Sequence, residues 1–113
     1  MAARANLVID QGTNFSSDVT VKDLNANAFD LTGYTATAKM AKGYESTKTR
    51  STITATVSST PSSGLVALTM PAAQTAALSP GRYVYDLEIT QTSSGNITRV
   101  IEGIITVTPQ VSL

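Results

Sequence analysis

Alternation with a period of two runs through almost the whole chain. Small or apolar residues trade places with Thr and other polar residues one by one, as in Tyr-Thr-Ala-Thr-Ala-Lys-Met from 34 to 40 and Ile-Thr-Ala-Thr-Val from 53 to 57. Successive side chains of a strand point to opposite faces, so this pattern specifies half-buried strands. The dominant residue types, Thr, Val, Ile and Tyr, also favour a pleated, half-buried surface. Eighteen Thr and twelve Ser occupy 30 of the 113 positions, while charged residues make up only 14%. That is well under the roughly 25% usual for a soluble domain. The polar faces of these strands are therefore hydroxyl faces rather than ionic ones.

The pattern predicts seven strands: 7–9, 15–21, 34–40, 53–57, 65–70, 82–91 and 97–108. Phe15, Ser17, Val19 and Val21 share one face of the second. Ala36, Ala38 and Met40 share one face of the third, and Tyr83, Tyr85, Leu87 and Ile89 one face of the sixth. Turn residues at 23–27, Ser, Pro and Gly at 58–64, and Thr-Ser-Ser-Gly-Asn at 92–96 separate them. Residues 71–78 form the one helical candidate, with Pro71 at the first position and Pro80-Gly81 as the stop. Seven short strands in about 100 residues read as a β-sandwich. The expected fold is all-β, a single immunoglobulin-like sandwich spanning 1–113, with one short helical turn and no interior linker.

Composition removes most chemistry. The chain has no His, no Cys and no Trp, and eight Lys+Arg balance eight Asp+Glu. Ser-His-Asp and Cys-His catalysis, the usual zinc ligand sets and disulfides are excluded. Net zero charge without a basic run gives no electrostatic basis for nucleic-acid binding. No apolar run is long enough for a membrane helix. The apolar stretch near the start is too short for a signal peptide, so synthesis in the cytoplasm is expected. The expectations are no enzyme activity, no cofactor and no metal. The sequons Asn14-Phe-Ser16 and Asn96-Ile-Thr98 read as chance matches.

Some local constellations remain. Leu78-Ser-Pro-Gly-Arg-Tyr83-Val-Tyr85 has the form of a tyrosine corner, in which Tyr83 bonds back to upstream backbone. Tyr85 then falls where antibody domains carry their second Cys, so a packed ring replaces the disulfide. The alternative makes both rings ordinary half-buried strand residues. Asp86 and Glu88 share a face and could do acid–base work or hold a cation. The preferred reading is a solvated outer face, with Glu88 opposite Arg99 if the hairpin centres on Ser93-Ser94. Residues 10–15 resemble a calcium loop but lack its ligand series, and read as a bend that uses Gly12. Asp30-Leu-Thr-Gly33-Tyr34 reads as a turn on Gly33. Residues 39–50 carry four basic side chains plus Tyr44, and read as a solvated loop rather than a phosphate or glycan contact. In the last strand Val100, Ile101, Ile104 and Ile105 place apolar groups on both faces. Gly103 suggests a bulge among them. With Val84, residues Val100, Ile101 and Ile104 form a candidate partner surface. The alternative is that a crossing loop or the N-terminal strand covers this patch.

Four segments together resemble a family: residues 6–15 (NLVIDQGTNF), 29–34 (FDLTGY), 80–89 (PGRYVYDLEI) and 98–109 (TRVIEGIITVTP). They resemble small immunoglobulin-like β-sandwich structural proteins of tailed bacteriophages, and are similar to the N-terminal domain of upper-baseplate proteins. The resemblance implies a non-enzymatic virion component at the tail or baseplate, acting as an attachment or adaptor module. It implies other virion proteins as partners, many copies per particle, and no nucleic-acid or membrane contact. A capsid-decoration role against the major capsid protein fits the same motifs. A cellular glycan-binding or adhesin-like module is a further alternative. No catalytic residue comes with the family.

Overall fold

The computed structural model describes residues 3–23, 25–43 and 49–111. Eight strands follow in order: β1 (Ala3–Arg4), β2 (Leu7–Asp10), β3 (Phe15–Thr20), β4 (Tyr34–Ala41), β5 (Ser51–Val57), β6 (Leu65–Met70), β7 (Gly81–Gln91) and β8 (Ile97–Thr108). A 3-10 turn, Pro61–Ser63, precedes β6, and the short helix α1 (Ala72–Ala76) follows it. Pro71 caps α1 in extended conformation, where its missing N–H is no loss. The structure differs from the seven-strand expectation in adding β1.

The strands form one curled sheet ordered β1-β8-β7-β4-β5-β6-β3, with β2 also beside β8. β5 makes the fold a sandwich by changing layers. Its first residues, Ser51 to Ile53, pair with β4, and Thr54 to Val57 pair with β6. One layer is therefore β1/β2-β8-β7-β4 and the other β3-β6, with β5 as the corner. β3 lies antiparallel to β6, β4 and β8 flank β7 antiparallel, and the first strands run parallel to the last. This is an immunoglobulin-like all-β sandwich.

The inward members of each alternating run fill the space between the layers. Ile9, Leu31, Met40, Ile53, Leu68, Leu87, Ile89 and Ile105 are among the fully buried side chains. Each stabilises the fold by about 1.5–3 kcal/mol of apolar burial. The outward members are mostly Thr, as expected from the period of two. Among the described residues, Thr75 of α1 is the buried polar side chain, at 0% exposure. Its hydroxyl donates to the Thr13 carbonyl (2.7 Å) and accepts from the Gly12 N–H (3.1 Å). The Asn14 side chain accepts from the Ala72 N–H at 2.9 Å. Residues 10–15 are thus a docked bend, with Gly12 at φ +81°, closing one end of the sandwich against α1.

The last strand corrects two expectations. A register shift falls between Leu87 and Glu88: Leu87 pairs with Ile101, but Glu88 pairs with Arg99. Val100 is the extra residue, so the bulge sits there and not at Gly103. From Ile101 onward the odd residues face the core, and Ile101 is only 3% exposed. Ile101 therefore cannot belong to a partner surface. The one-residue shift puts it on the inner face.

Candidate interaction surface

Gly103 has a different job from bulging. β1 and β2 keep one register against β8, Ala3 opposite Ile101 and Leu7 opposite Ile105, so Ala5 and Asn6 fall opposite Gly103 and Ile104. There the chain kinks. The Ala5 carbonyl turns away from the ladder and accepts a hydrogen bond from the Tyr85 hydroxyl at 2.5 Å. The Ile104 N–H is served instead by the Asn6 side chain at 3.1 Å. A Cβ on Gly103 would overlap the Ala5 carbonyl oxygen and lie 2.8 Å from its carbon. Gly103 is thus the clearance that lets the first strand turn inward, and Tyr85, its cross-strand partner, covers it. Burial pushes the Tyr85 phenol up to about 12.

Tyr83 donates its hydroxyl to the Ser79 carbonyl, four residues upstream, at 2.8 Å. That is the geometry of a tyrosine corner. Lys42 closes the motif from outside, with Nζ 4.5 Å above the Tyr83 ring and 3.3 Å from the Pro80 carbonyl.

Cross-strand registers put the outer face of the larger layer in rows. Lys39, Asp86, Glu102 and Arg4 form one row across β4, β7, β8 and β1, with charges plus, minus, minus, plus. Glu88 does sit opposite Arg99, as the hairpin arithmetic requires. Yet Arg99 turns to Asp86 (3.3 Å) and Glu102 (3.9 Å) instead. These half-exposed pairs contribute about 0–1 kcal/mol. Among the described residues no group of three or more acidic side chains is placed to hold a metal ion.

The next row is apolar: Ala41, Val84 and Ile104 lie side by side. Val84 and Ile104 are half-buried and point outward. Of the four residues expected at a partner surface, these two lie on the outer face. Val100 leaves it, because the bulge aims it at a groove at the end of the sandwich away from α1. That groove has a volume of about 530 Å³ and is lined by Ala3, Val21, Phe29, Tyr34, Ile89 and Val100, with Lys22 and Asp23 at its rim. Phe29 and Tyr34 meet edge to face there, 5.4 Å apart. Beside them Asp30 is held below the usual carboxylate range by the Thr32 hydroxyl and N–H. Tyr44, in the loop read as solvated, lies outside the described residues, which resume at 49.

The outer face of the smaller layer is nearly uncharged. Its rows are Ser16–Thr69–Thr54 and Asp18–Ala67–Thr56, with Thr20 opposite Leu65. Asp18 is the single charge in this set. The clustering of hydroxyls on one face follows from Thr at every second position of β5.

No protein-family model and no curated protein matches this chain. Solved structures similar to it include the Lin-41 filamin domain, at TM-score 0.44 and 16% identity, covering 89% of this chain and 82% of that one. The NK cell receptor NKp44 has TM-score 0.44 and 12% identity, with 96% and 99% coverage. A family 123 glycoside hydrolase from Clostridium perfringens has TM-score 0.39 and 11% identity. The match covers 97% of this chain and 24% of the hydrolase.

Proposed function

We propose that the chain is a non-enzymatic structural protein of a tailed-bacteriophage virion, an attachment or adaptor module of the tail or baseplate that works through protein–protein contacts. The observation that carries this reading is the surface. The charged row on the larger layer is internally balanced, and the smaller layer presents mostly Ser and Thr, with Ala67, Leu65 and one Asp. Such a surface generates little long-range field, so many copies pack together without mutual repulsion. A second observation supports the sequence resemblance. Three of its four segments, 6–15, 80–89 and 98–109, become neighbours in space as β2, β7 and β8, the first joined to the last by the β2–β8 ladder and the Ile104–Asn6 hydrogen bond.

The partner surface in this reading includes Val84 and Ile104, and the virion is the site of action after synthesis in the host cytoplasm. Electron cryomicroscopy of purified particles tests it. Density for the sandwich at the tail tip is the expected result. Density on the head shell instead would replace the adaptor role with capsid decoration. Glycan binding by a protein absent from particles would favour a cellular binding module and overturn the proposal.

A further inference from the structure

The edge of the larger layer leaves a row of backbone groups open. In β1 and β2 the odd residues face β8: the Ala5 and Gln11 N–H groups donate to the Glu102 and Thr108 carbonyls at 2.9 and 3.0 Å. By strand alternation the backbone N–H groups of Arg4, Asn6, Val8 and Asp10 face away from β8. β3, across the opening of the curl, is not hydrogen-bonded to β2. All four of these residues are exposed, and Val8 is exposed to 59% although apolar. Natural edges are usually guarded by Lys, Pro, a bulge or a covering loop. Between Arg4 and Asp10 there is no Lys and no Pro, and the kink at Ala5–Asn6, between β1 and β2, is the one interruption. β3, the other open edge, carries Asp18 at its middle, which a two-fold pairing would set near its own copy.

We propose that β1/β2 is a self-association edge, taking a second copy of this chain in antiparallel strand pairing about a two-fold axis at Leu7. The charges select this partner and this register. Setting Leu7 against Leu7 of the second copy places Arg4 opposite its Asp10, and Asp10 opposite its Arg4. Asn6 and Val8 fall opposite one another between them. All these pairs join residues whose backbone groups face the edge, the hydrogen-bonded positions of an antiparallel ladder. The Asp10 carbonyl already accepts from the Thr13 N–H and hydroxyl (3.2 and 2.7 Å), so at each end the Asp10 N–H and the Arg4 carbonyl are the groups left to pair. Val8 then stands beside Asn6 of the second copy on the outer face, and the two β8-containing layers merge into one continuous sheet. Arg4 and Asp10 are exposed at opposite ends of the edge, so the pattern is its own complement, as a two-fold interface demands. The inference stands whether or not the chain belongs to a virion.

One short strand pair buries far less than a standard interface, so the dissociation constant is expected to be on the order of 0.1 mM. Sedimentation equilibrium of the full chain from about 1 µM to about 1 mM reads it directly. The Val8→Pro variant removes an N–H that makes no bond within the sheet. It should therefore abolish the dimer while its thermal midpoint stays near the parent value. Arg4→Glu and Asp10→Lys should each weaken the dimer roughly tenfold, and the double variant should restore it. Thermal melts of all three confirm that the comparison is between folded proteins. A chain that stays monomeric throughout, a dimer untouched by Val8→Pro, or charge variants without mutual rescue would each overturn the proposal.

Discussion

Gly103→Ala tests the kink of the first strand. Gly103 is not in left-handed conformation, so the backbone accepts Ala without strain and the effect is steric alone. The added methyl meets backbone, the Ala5 carbonyl, and also stands 3.1 Å from the Asn6 Oδ1. No rotamer change relieves a backbone clash, so the first strand must move off β8. That movement gives up three hydrogen bonds, Tyr85 to Ala5, Ile104 to Asn6 and Ala5 to Glu102. The bonds of Ile104 and Ala5 contribute about 0.5–1.5 kcal/mol each, and the loss of the Tyr85 bond, which strands its hydroxyl, costs about 1–3 kcal/mol. Against this, Ala stiffens the unfolded chain by about 0.4–1 kcal/mol. The net is a loss of about 3 kcal/mol, a large share of the 5–15 kcal/mol typical of a domain. Urea unfolding followed by circular dichroism should show it, with a fall in melting temperature of roughly 12 °C or more. Hydrogen exchange should quicken at the Ile104 and Ala5 amides. A Gly103→Ala protein within about 0.5 kcal/mol of the parent would refute the reasoning. Gly33→Ala is the contrast: nothing lies within 4 Å, so any loss there reflects its φ of +81° alone.

Other variants probe separate parts of the account. Tyr83→Phe removes the corner bond to Ser79 and should destabilise by about 1–2 kcal/mol in the same urea assay. Tyr85→Phe should change the pH profile. Because folding raises this phenol above its ordinary value, the stabilisation it provides is complete below pH 10 and is lost as pH rises toward about 12. Melting temperatures measured between those values should fall less steeply in Tyr85→Phe than in the parent. Ala26 sits at φ +63° in the 23–27 turn, where a Cβ is unfavourable. Ala26→Gly should therefore stabilise by up to about 1 kcal/mol, read by differential scanning calorimetry.

The strands were legible because the side-chain period is local. Tyr83, Tyr85, Leu87 and Ile89 declare an inner face without reference to anything outside β7, and the structure buries all four. Long-range placement was not legible. A glycine in a strand signals either a bulge or a close approach of another backbone, and at Gly103 the second applies. The approaching residue, Ala5, is distant in sequence and has no pattern of its own. Placing the bulge at Gly103 rather than Val100 left Ile101 among the candidate partner residues, because a shift of one residue exchanges the two faces. The Glu88–Arg99 pairing was accessible from hairpin arithmetic. That Arg99 turns to Asp86 depends on side-chain reach across the row, which sequence spacing does not set.

The proposed role of this balanced, hydroxyl-rich sandwich is that of a packing component of a virion. Quantitative mass spectrometry of gradient-purified particles tests that role most directly. The chain is expected at several copies per particle, in a fixed ratio to a tail or shell protein. Its absence from purified particles, while it is abundant in the lysate that produced them, would contradict the account.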